Sequence, residues 1–358
     1  MTMLNIISPI NQLGYGVAGL NICKELDNID PVALWTIGQP SVTSKEDYGR
    51  ITEMIKNAKT PDFYAPCIRI WHQHDMSQFV GNNIKVGFPI FELDNFNDVE
   101  LHHLNSLDRI FVCSEWARQV VINKVNISPE NVNVIPLGVD SDIFKQNNLD
   151  NKHTDVTIFF NCGKWEVRKG HDIIPEAFCK AFVEEDNVEL WMMCENPFNS
   201  PAEEARWKDM YKSCPLGRKI KLLDRVETQG EVYNIMSTTT CGIFPARAEG
   251  WNLELLEMMA CNKPVIATDY SAHTEFCTKD NSFLVPINEE EMAHDGKWFN
   301  GEVGKWAKLG DRQVSKIAEH MKFIHQHNIT TNPQGVETAK KYSWRNSAET
   351  ICEVLKDV

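Results

Sequence analysis

Twice along its 358 residues this chain alternates short apolar runs with amphipathic segments, and that rhythm leaves few folds open. Leu4 to Ser8 is followed by Ala18 to Leu26, Ile84 to Pro89 by Val99 to Leu107, and Arg109 to Cys113 by Trp116 to Asn123. The pattern returns after residue 153, with Val156 to Asn161 reading as a strand, Asp172 to Val183 as a helix and Val188 to Cys194 as the next strand. Apolar runs between helical periods predict strand, helix, strand units on parallel sheets. Lys145 to His153 is polar and aperiodic, the composition of a hinge. One hydrophobic core does not serve a chain this long. The expected architecture is α/β: two Rossmann-like doubly wound parallel-sheet domains, residues 1–150 and 151–338, and a closing helix in 339–358. That helix is expected because Ala348, Ile351, Val354 and Leu355 recur at helical spacing behind Ser343 as N-cap. Sheets of this kind bind ligands beyond the carboxyl ends of their strands, so a crevice shared by the two domains is the expected site.

Composition adds exclusions. No stretch approaches the roughly 18 uninterrupted apolar residues of a membrane span, and Met1 to Ser8 lacks a basic leader and cleavage site. The eleven cysteines are scattered without a C-x-x-C pair. Reduced thiols and a cytoplasmic location are expected. With 36 basic against 50 acidic side chains the net charge is −14, a field that repels polyanions at long range. One stretch runs the other way: Arg206, Lys208, Lys212, Arg218, Lys219, Lys221 and Arg225 meet only Asp209 and Asp224. A solvated helix and loop account for it, and a nucleic-acid partner stays open only as an acceptor.

Gly14-Tyr-Gly16-Val-Ala-Gly19 matches G-x-G-x-x-G, yet five residues, Pro9 to Leu13, separate it from the preceding apolar run. A nicotinamide fingerprint needs its first glycine in the immediate strand-to-helix turn and an acid after the second strand, whereas Val32 to Ile37 ends in Gly38-Gln39. A glycine loop that lends backbone amides to a diphosphate fits better, beside a simple tight turn.

In the second half, Val156 to Asn161 runs into Gly163-Lys164-Trp165-Glu166-Val167-Arg168-Lys169-Gly170, a loop with three cations ahead of a helix. Cations there would neutralise charge that grows on a diphosphate as a sugar bond breaks. Further on, Glu249-Gly250-Trp251-Asn252-Leu253 leads to Glu257, two carboxylates seven residues apart across a strand-to-helix junction. Gly250 relaxes the turn, Leu253, Leu256 and Met259 mark a buried face, and Asn262 and Pro264 end the helix. One acid can then meet a sugar and the other a ribose, with helix-end amides near Asn252 between them.

These motifs in this order resemble the retaining glycosyltransferases of family four, of GT-B architecture, and the similarity extends through Val134 to Asp140, Ser271 to Glu275 and Ser343-Trp344. The resemblance implies an enzyme, a hexosyl- or pentosyltransferase, that moves a sugar from a nucleotide diphosphate sugar, UDP most of all, with retention and without a metal or other cofactor. It implies that Lys164 and Lys169 bind the diphosphate, that Glu249 contacts the transferred sugar and Glu257 the ribose, and that Arg168, Gly250, Trp251, Asn252 and Leu253 complete the donor side. Backbone at Gly14, Tyr15 and Gly16 would close over the phosphates, and the final helix would pack on the N-terminal domain. Two departures stand out: Asn252 replaces the usual glycine after the aromatic, and Asn262-Lys263 replaces a glycine-containing turn.

Trp71-His72-Gln-His74-Asp75 follows the apolar run Cys67 to Ile70. By the resemblance His74, ahead of His72, touches the donor sugar. His72, Asp75 and Glu92 are acceptor candidates, and H-x-H-D lacks further ligands at metal spacing. Ser114, before Glu115-Trp116, reads equally well as a helix cap. A glycan or small hydroxyl acceptor remains open, as does a hydroxymethylated DNA base of the kind some phages glycosylate. So do two other classes, a same-fold epimerase and a non-catalytic nucleotide-sugar-binding subunit.

Overall fold

The strands are short and their side chains buried on both faces, so each sheet is stable only when helices cover it. The computed structural model describes residues 3–146 and 156–356. The chain divides into two compact units, Met1–Gly138 with Tyr342–Val358, and Val139–Lys341.

The first unit runs β1 (Leu4–Ser8), α1 (Gly14–Asp27), β2 (Val32–Thr36), α2 (Lys45–Asn57), β3 (Cys67–Ile70), β4 (Lys85–Phe88), α3 (Asp98–Leu104), β5 (Arg109–Val112), α4 (Glu115–Lys124) and β6 (Val132–Val134). Its described strands form a sheet in the order β2-β1-β3-β4-β5-β6, parallel throughout. Helix starts follow local chemistry. Asn97 and Glu100 form a reciprocal capping box on α3, and the Ser114 hydroxyl accepts from the Ala117 amide at 3.2 Å to start α4. Ser114 is therefore a cap.

The second unit runs β7 (Thr157–Cys162), α5 (Ile174–Ala181), β8 (Val188–Met193), α6 (Pro201–Lys212), β9 (Ile220–Leu222), α7 (Gln229–Thr238), β10 (Cys241–Phe244), α8 (Leu253–Ala260), β11 (Val265–Asp269), α9 (His273–Phe276), β12 (Phe283–Pro286), β13 (Glu290–His294), β14 (Asn300–Ala307), α10 (Asp311–Gln326) and α11 (Pro333–Lys341). Its parallel sheet has the order β12-β11-β10-β7-β8-β9, and β13 and β14 form a separate antiparallel hairpin. Phe159, Phe178, Leu190, Ile243, Ile266 and Ile317 meet in its core. Each such side chain contributes about 1.5–3 kcal/mol by leaving water.

The changes of unit come at Gly138/Val139 and Lys341/Tyr342 rather than at 150/151 and 338/339. Phe144 is buried and its ring meets Tyr233 on α7, which fastens the segment after Gly138 to the second unit. From residue 147 onward the expected hinge lies outside the described residues. The last helix, α12 (Trp344–Leu355), starts on the Ser343 cap and lies against α1 in the first unit, where the Ser347 hydroxyl donates to the Pro136 carbonyl at 2.6 Å.

Candidate functional site

In the second unit the chain leaves β7 for β8 and β9 on one side and then places β10 on the other. The loops after β7 and β10 therefore flank a topological switch point, the usual binding position of a doubly wound sheet. Both motifs singled out in this half occupy those loops.

Their charged side chains form one chain of ion pairs. Lys164 Nζ lies 3.1 Å from Glu166 Oε1, and the Arg168 guanidinium donates to Glu166 Oε2 and to Glu249 Oε2, each at 2.7 Å. Lys169 Nζ donates to Glu249 Oε1 at 2.9 Å. Arg168 also donates to the Ala248 carbonyl at 2.8 Å, so one guanidinium ties the two loops together. Three cations against two carboxylates leave a positive surplus. Burial alone would raise the Glu249 carboxyl, but Arg168 and then Lys169 override it and hold it well below the carboxylate range. Glu166 is lowered in the same way, by Arg168 and Lys164 against its burial. For Lys169 burial works against the charge, and Glu249 followed by Glu254 more than restores it, so the ammonium stays protonated.

The backbone that presents these groups is fixed by a few tight contacts. The Glu249 amide donates to Ser271 Oγ at 2.9 Å. Arg247 forms two hydrogen bonds to Asp172, at 2.7 and 2.8 Å, and its amide donates to the Arg168 carbonyl at 2.6 Å. Gly170 has φ 72°, and a Cβ there would sit 2.0 Å from the Pro245 carbonyl oxygen. Gly170→Ala should accordingly cost more than about 2 kcal/mol, through left-handed strain and displacement of the loop together. The midpoint of urea unfolding reads this, and a shift no larger than that of an exposed-site alanine would contradict it.

At the start of α8 the left-handed residue is Asn252, with φ 85°. Its Oδ1 accepts from the Leu255 amide at 3.1 Å, and its Nδ2 lies 2.9 Å from His273 Nε2. His273 is fully buried, and burial lowers its pKa, so the ring is neutral. With Nδ1 at 3.0 Å from the Thr268 carbonyl, Nδ1 carries the proton and Nε2 accepts from Asn252. The cap leaves the Leu253 and Glu254 amides at the open helix end. Glu257 lies one turn further in; burial, then the charges of Glu254 and Asp140, push its carboxyl well above the usual range. Contrary to expectation the buried face is not a stripe of Leu253, Leu256 and Met259: Leu253 is only half-buried, while Leu255 to Ala260 are all buried, because α8 is packed by β10, β11 and α11.

In the first unit the switch point lies between β1 and β3. Tyr15, Trp71, His72 and His74 gather beside it, with Tyr15 to His72 centroids 4.6 Å apart and the two imidazoles stacked at 5.3 Å. One expectation needs correction here. The glycines do not form a flexible loop, because α1 opens at Gly14 itself, with Leu13 as a cap that has no side-chain bond. A Cβ on Gly16 would lie 2.3 Å from Asn11 Oδ1, and one on Gly19 would lie 2.1 Å from Ser8 Oγ, so these glycines let the helix lie on the loop before it. The Tyr15 hydroxyl donates to the Ile90 carbonyl at 2.8 Å and accepts from the Ile90 amide at 2.9 Å, a structural tie. Asp75, expected on the acceptor side, pairs at 2.8 Å with the buried Arg69 guanidinium and answers a charge that β3 carries into the interior. Glu92 is half-buried, and its charge helps burial raise the Tyr15 hydroxyl.

Glu166, Ser271 and His273 were not assigned from the sequence. Glu166 had a trace, since Lys164, Glu166 and Arg168 alternate along an extended loop. The basic stretch after residue 205 is partly consumed by packing: Lys219 Nζ donates to the Asp186 carbonyl at 2.7 Å, and Lys221 pairs with Glu189 at 2.8 Å. Among the described residues no three His, Cys, Asp or Glu side chains converge as a metal site requires, and no helix is long and apolar enough to cross a membrane.

Comparison with known proteins bears on the same segment. Residues 156–296 match the family described as Glycosyl transferases group 1. The chain is similar to one of the subunits of phosphatidylinositol N-acetylglucosaminyltransferase in Arabidopsis thaliana, 23% identical over 221 residues that cover 58% of this chain and 47% of the relative. It thus spans about half the length of that curated relative. Among solved structures it resembles Anabaena HepE in complex with UDP-glucose, at TM-score 0.70 and 14% identity, each chain covered completely. It also resembles sucrose-phosphate synthase from Thermosynechococcus elongatus, at TM-score 0.71 and 14% identity, over 100% of this chain and 99% of that one. At such identity these likenesses speak for the fold.

Proposed function

We propose, from the premise that the chain has the GT-B fold and that residues 156–296 match group 1 of the glycosyl transferases, that it is a glycosyltransferase using a nucleotide diphosphate sugar. The carrying observation is the chain of ion pairs from Lys164 through Arg168 to Lys169, set at the switch point with the open end of α8 beside it. A diphosphate needs cations and amides in one place, and both are present.

In the proposed reaction the bond from the anomeric carbon to the diphosphate breaks, and its electron pair stays on the diphosphate oxygen. Lys164 and Lys169 neutralise that growing charge. The acceptor hydroxyl attacks the same face, its proton passes to the departing diphosphate, and the configuration is retained. Glu249 is fully ionised and fixed by two cations, which suits it to accept from sugar hydroxyls; Glu257 serves the ribose. The lysines and helix amides replace a divalent ion, so no metal or other cofactor is invoked. UDP is the favoured nucleotide, supported by the UDP-glucose complex of the similar HepE structure. Eleven scattered cysteines without a C-x-x-C pair support a reducing, cytoplasmic location.

Calorimetric titration in EDTA with UDP, UDP-glucose, UDP-N-acetylglucosamine, GDP-mannose and ADP-glucose tests the donor. A UDP compound should bind most tightly, and K164A should weaken it. Saturation with none of the five would remove the donor site from this chain, and an inverted anomer in the isolated product would remove retention.

A further inference from the structure

Beside the cation loop stand two large aromatic rings that neither the core nor the donor chemistry uses. Phe198, in the loop after β8, is 49% exposed, and Trp298, at the tip of the β13–β14 hairpin, is 53% exposed. Their centroids are 6.1 Å apart at 86°. Lys164 Nζ lies 5.3 Å from the Phe198 centroid, so the pair adjoins the group assigned to the diphosphate. Half-exposed Phe and Trp in contact with one another are unusual on a polar surface unless something covers them.

The rings are held in place. Lys297 Nζ donates to the Phe198 carbonyl at 2.9 Å, to Asn199 Oδ1 at 2.8 Å and to Glu203 Oε1 at 2.9 Å, which pins the hairpin tip to the start of α6. At the hairpin base the buried Trp306 ring lies 5.8 Å from the Arg247 guanidinium, and the Ala307 amide donates to the Arg247 carbonyl at 2.9 Å. Arg247 is two residues from Glu249, so the platform and the ion-pair chain share one support.

We propose that Phe198 and Trp298 form a stacking subsite for a sugar ring of the acceptor, which makes the acceptor a carbohydrate; this rests on the transferase function above. Two observations favour a neutral sugar. Lys297 is already paired with Glu203 at 2.9 Å, and Lys164 is assigned to the donor diphosphate, so neither ammonium is left over for a phosphate chain on the acceptor. The neighbours of the rings along the chain are polar, Asn199 after Phe198 and Lys297 before Trp298, joined by a 2.8 Å hydrogen bond, which suits a ring with an apolar C–H face and a rim of hydroxyls.

The test titrates the whole chain, with UDP present, against maltose, cellobiose and N,N′-diacetylchitobiose, followed by tryptophan fluorescence and calorimetry. At least one disaccharide should saturate the wild type. F198A and W298A should each weaken that binding by about tenfold, W298F should recover part of it, and the UDP Kd should stay within about twofold of wild type. If UDP binding weakens and disaccharide binding does not, the rings serve the nucleobase and the proposal fails. It fails equally if no disaccharide binds the wild type, or if hydroxymethylated DNA binds and its binding alone depends on Trp298. A wild type that does not bind UDP would strike the transferase function instead, and the disaccharide titration would still decide the subsite.

Discussion

Lys169→Met should lower kcat by about a hundred- to a thousandfold while leaving the chain folded, the loss expected when one preorganised charge is removed from a leaving group. The ammonium is only 11% exposed and bonded to Glu249 at 2.9 Å. In so dry a position its field falls on the diphosphate with little screening. Because the diphosphate gains charge as the glycosidic bond breaks, the lysine stabilises the transition state more than the bound donor, and kcat rather than KM should carry the loss. Methionine keeps the length of the stem, and Glu249 keeps Arg168 at 2.7 Å, so the loop has no reason to unfold. K164M should lose much less, because that side chain is 34% exposed and water screens it. Initial rates of nucleotide diphosphate release at saturating donor give the comparison. If K169M keeps its kcat and only binds donor more weakly, the lysine acts in binding alone.

The parts of this molecule that could be read from its sequence are those set by neighbours along the chain. Apolar runs gave the parallel strands because burial on both faces leaves no alternation to misread. Ser114 and Ser343 capped helices where a serine preceded a helical period. Asn252 and Asn262 looked like departures, yet their φ angles of 85° and 60° show each performing a glycine's backbone task, which asparagine tolerates better than most residues. Other features depend on residues far apart in sequence. Arg168 meets Glu249 across 81 positions, and no local pattern reveals that the two share a bond. Tyr15 ties to Ile90 across 75. The β13–β14 hairpin was not anticipated because three left-handed glycines, Gly296, Gly301 and Gly304, and an irregular register between Met292 and His294 interrupt its alternation.

Arg168 shows how the same ion pairs govern stability as well as chemistry. It is 6% exposed and is the only side chain bonded to both Glu166 and Glu249 among the described residues. Arg168→Met keeps most of the volume but leaves two buried carboxylates with one lysine each. Removing one partner from a buried pair costs about 3–5 kcal/mol, and the lower end applies because both lysines remain. The pH dependence separates this from a packing defect. In the wild type both carboxyls are held below the ordinary value of 4.5. They bind protons more readily unfolded than folded, so their contribution is fully present above that value and is lost as the pH falls through the folded pKa values. Without Arg168 both carboxyls rise, and the variant has less of this contribution to lose. The gap between wild type and R168M in urea unfolding should therefore be widest near pH 7 and narrow toward pH 3. R168M/E249Q should recover part of the loss at neutral pH, since it removes one of the stranded charges. A gap that stays constant across that range would make Arg168 a packing residue and would take from the ion-pair chain its part in holding the two loops together.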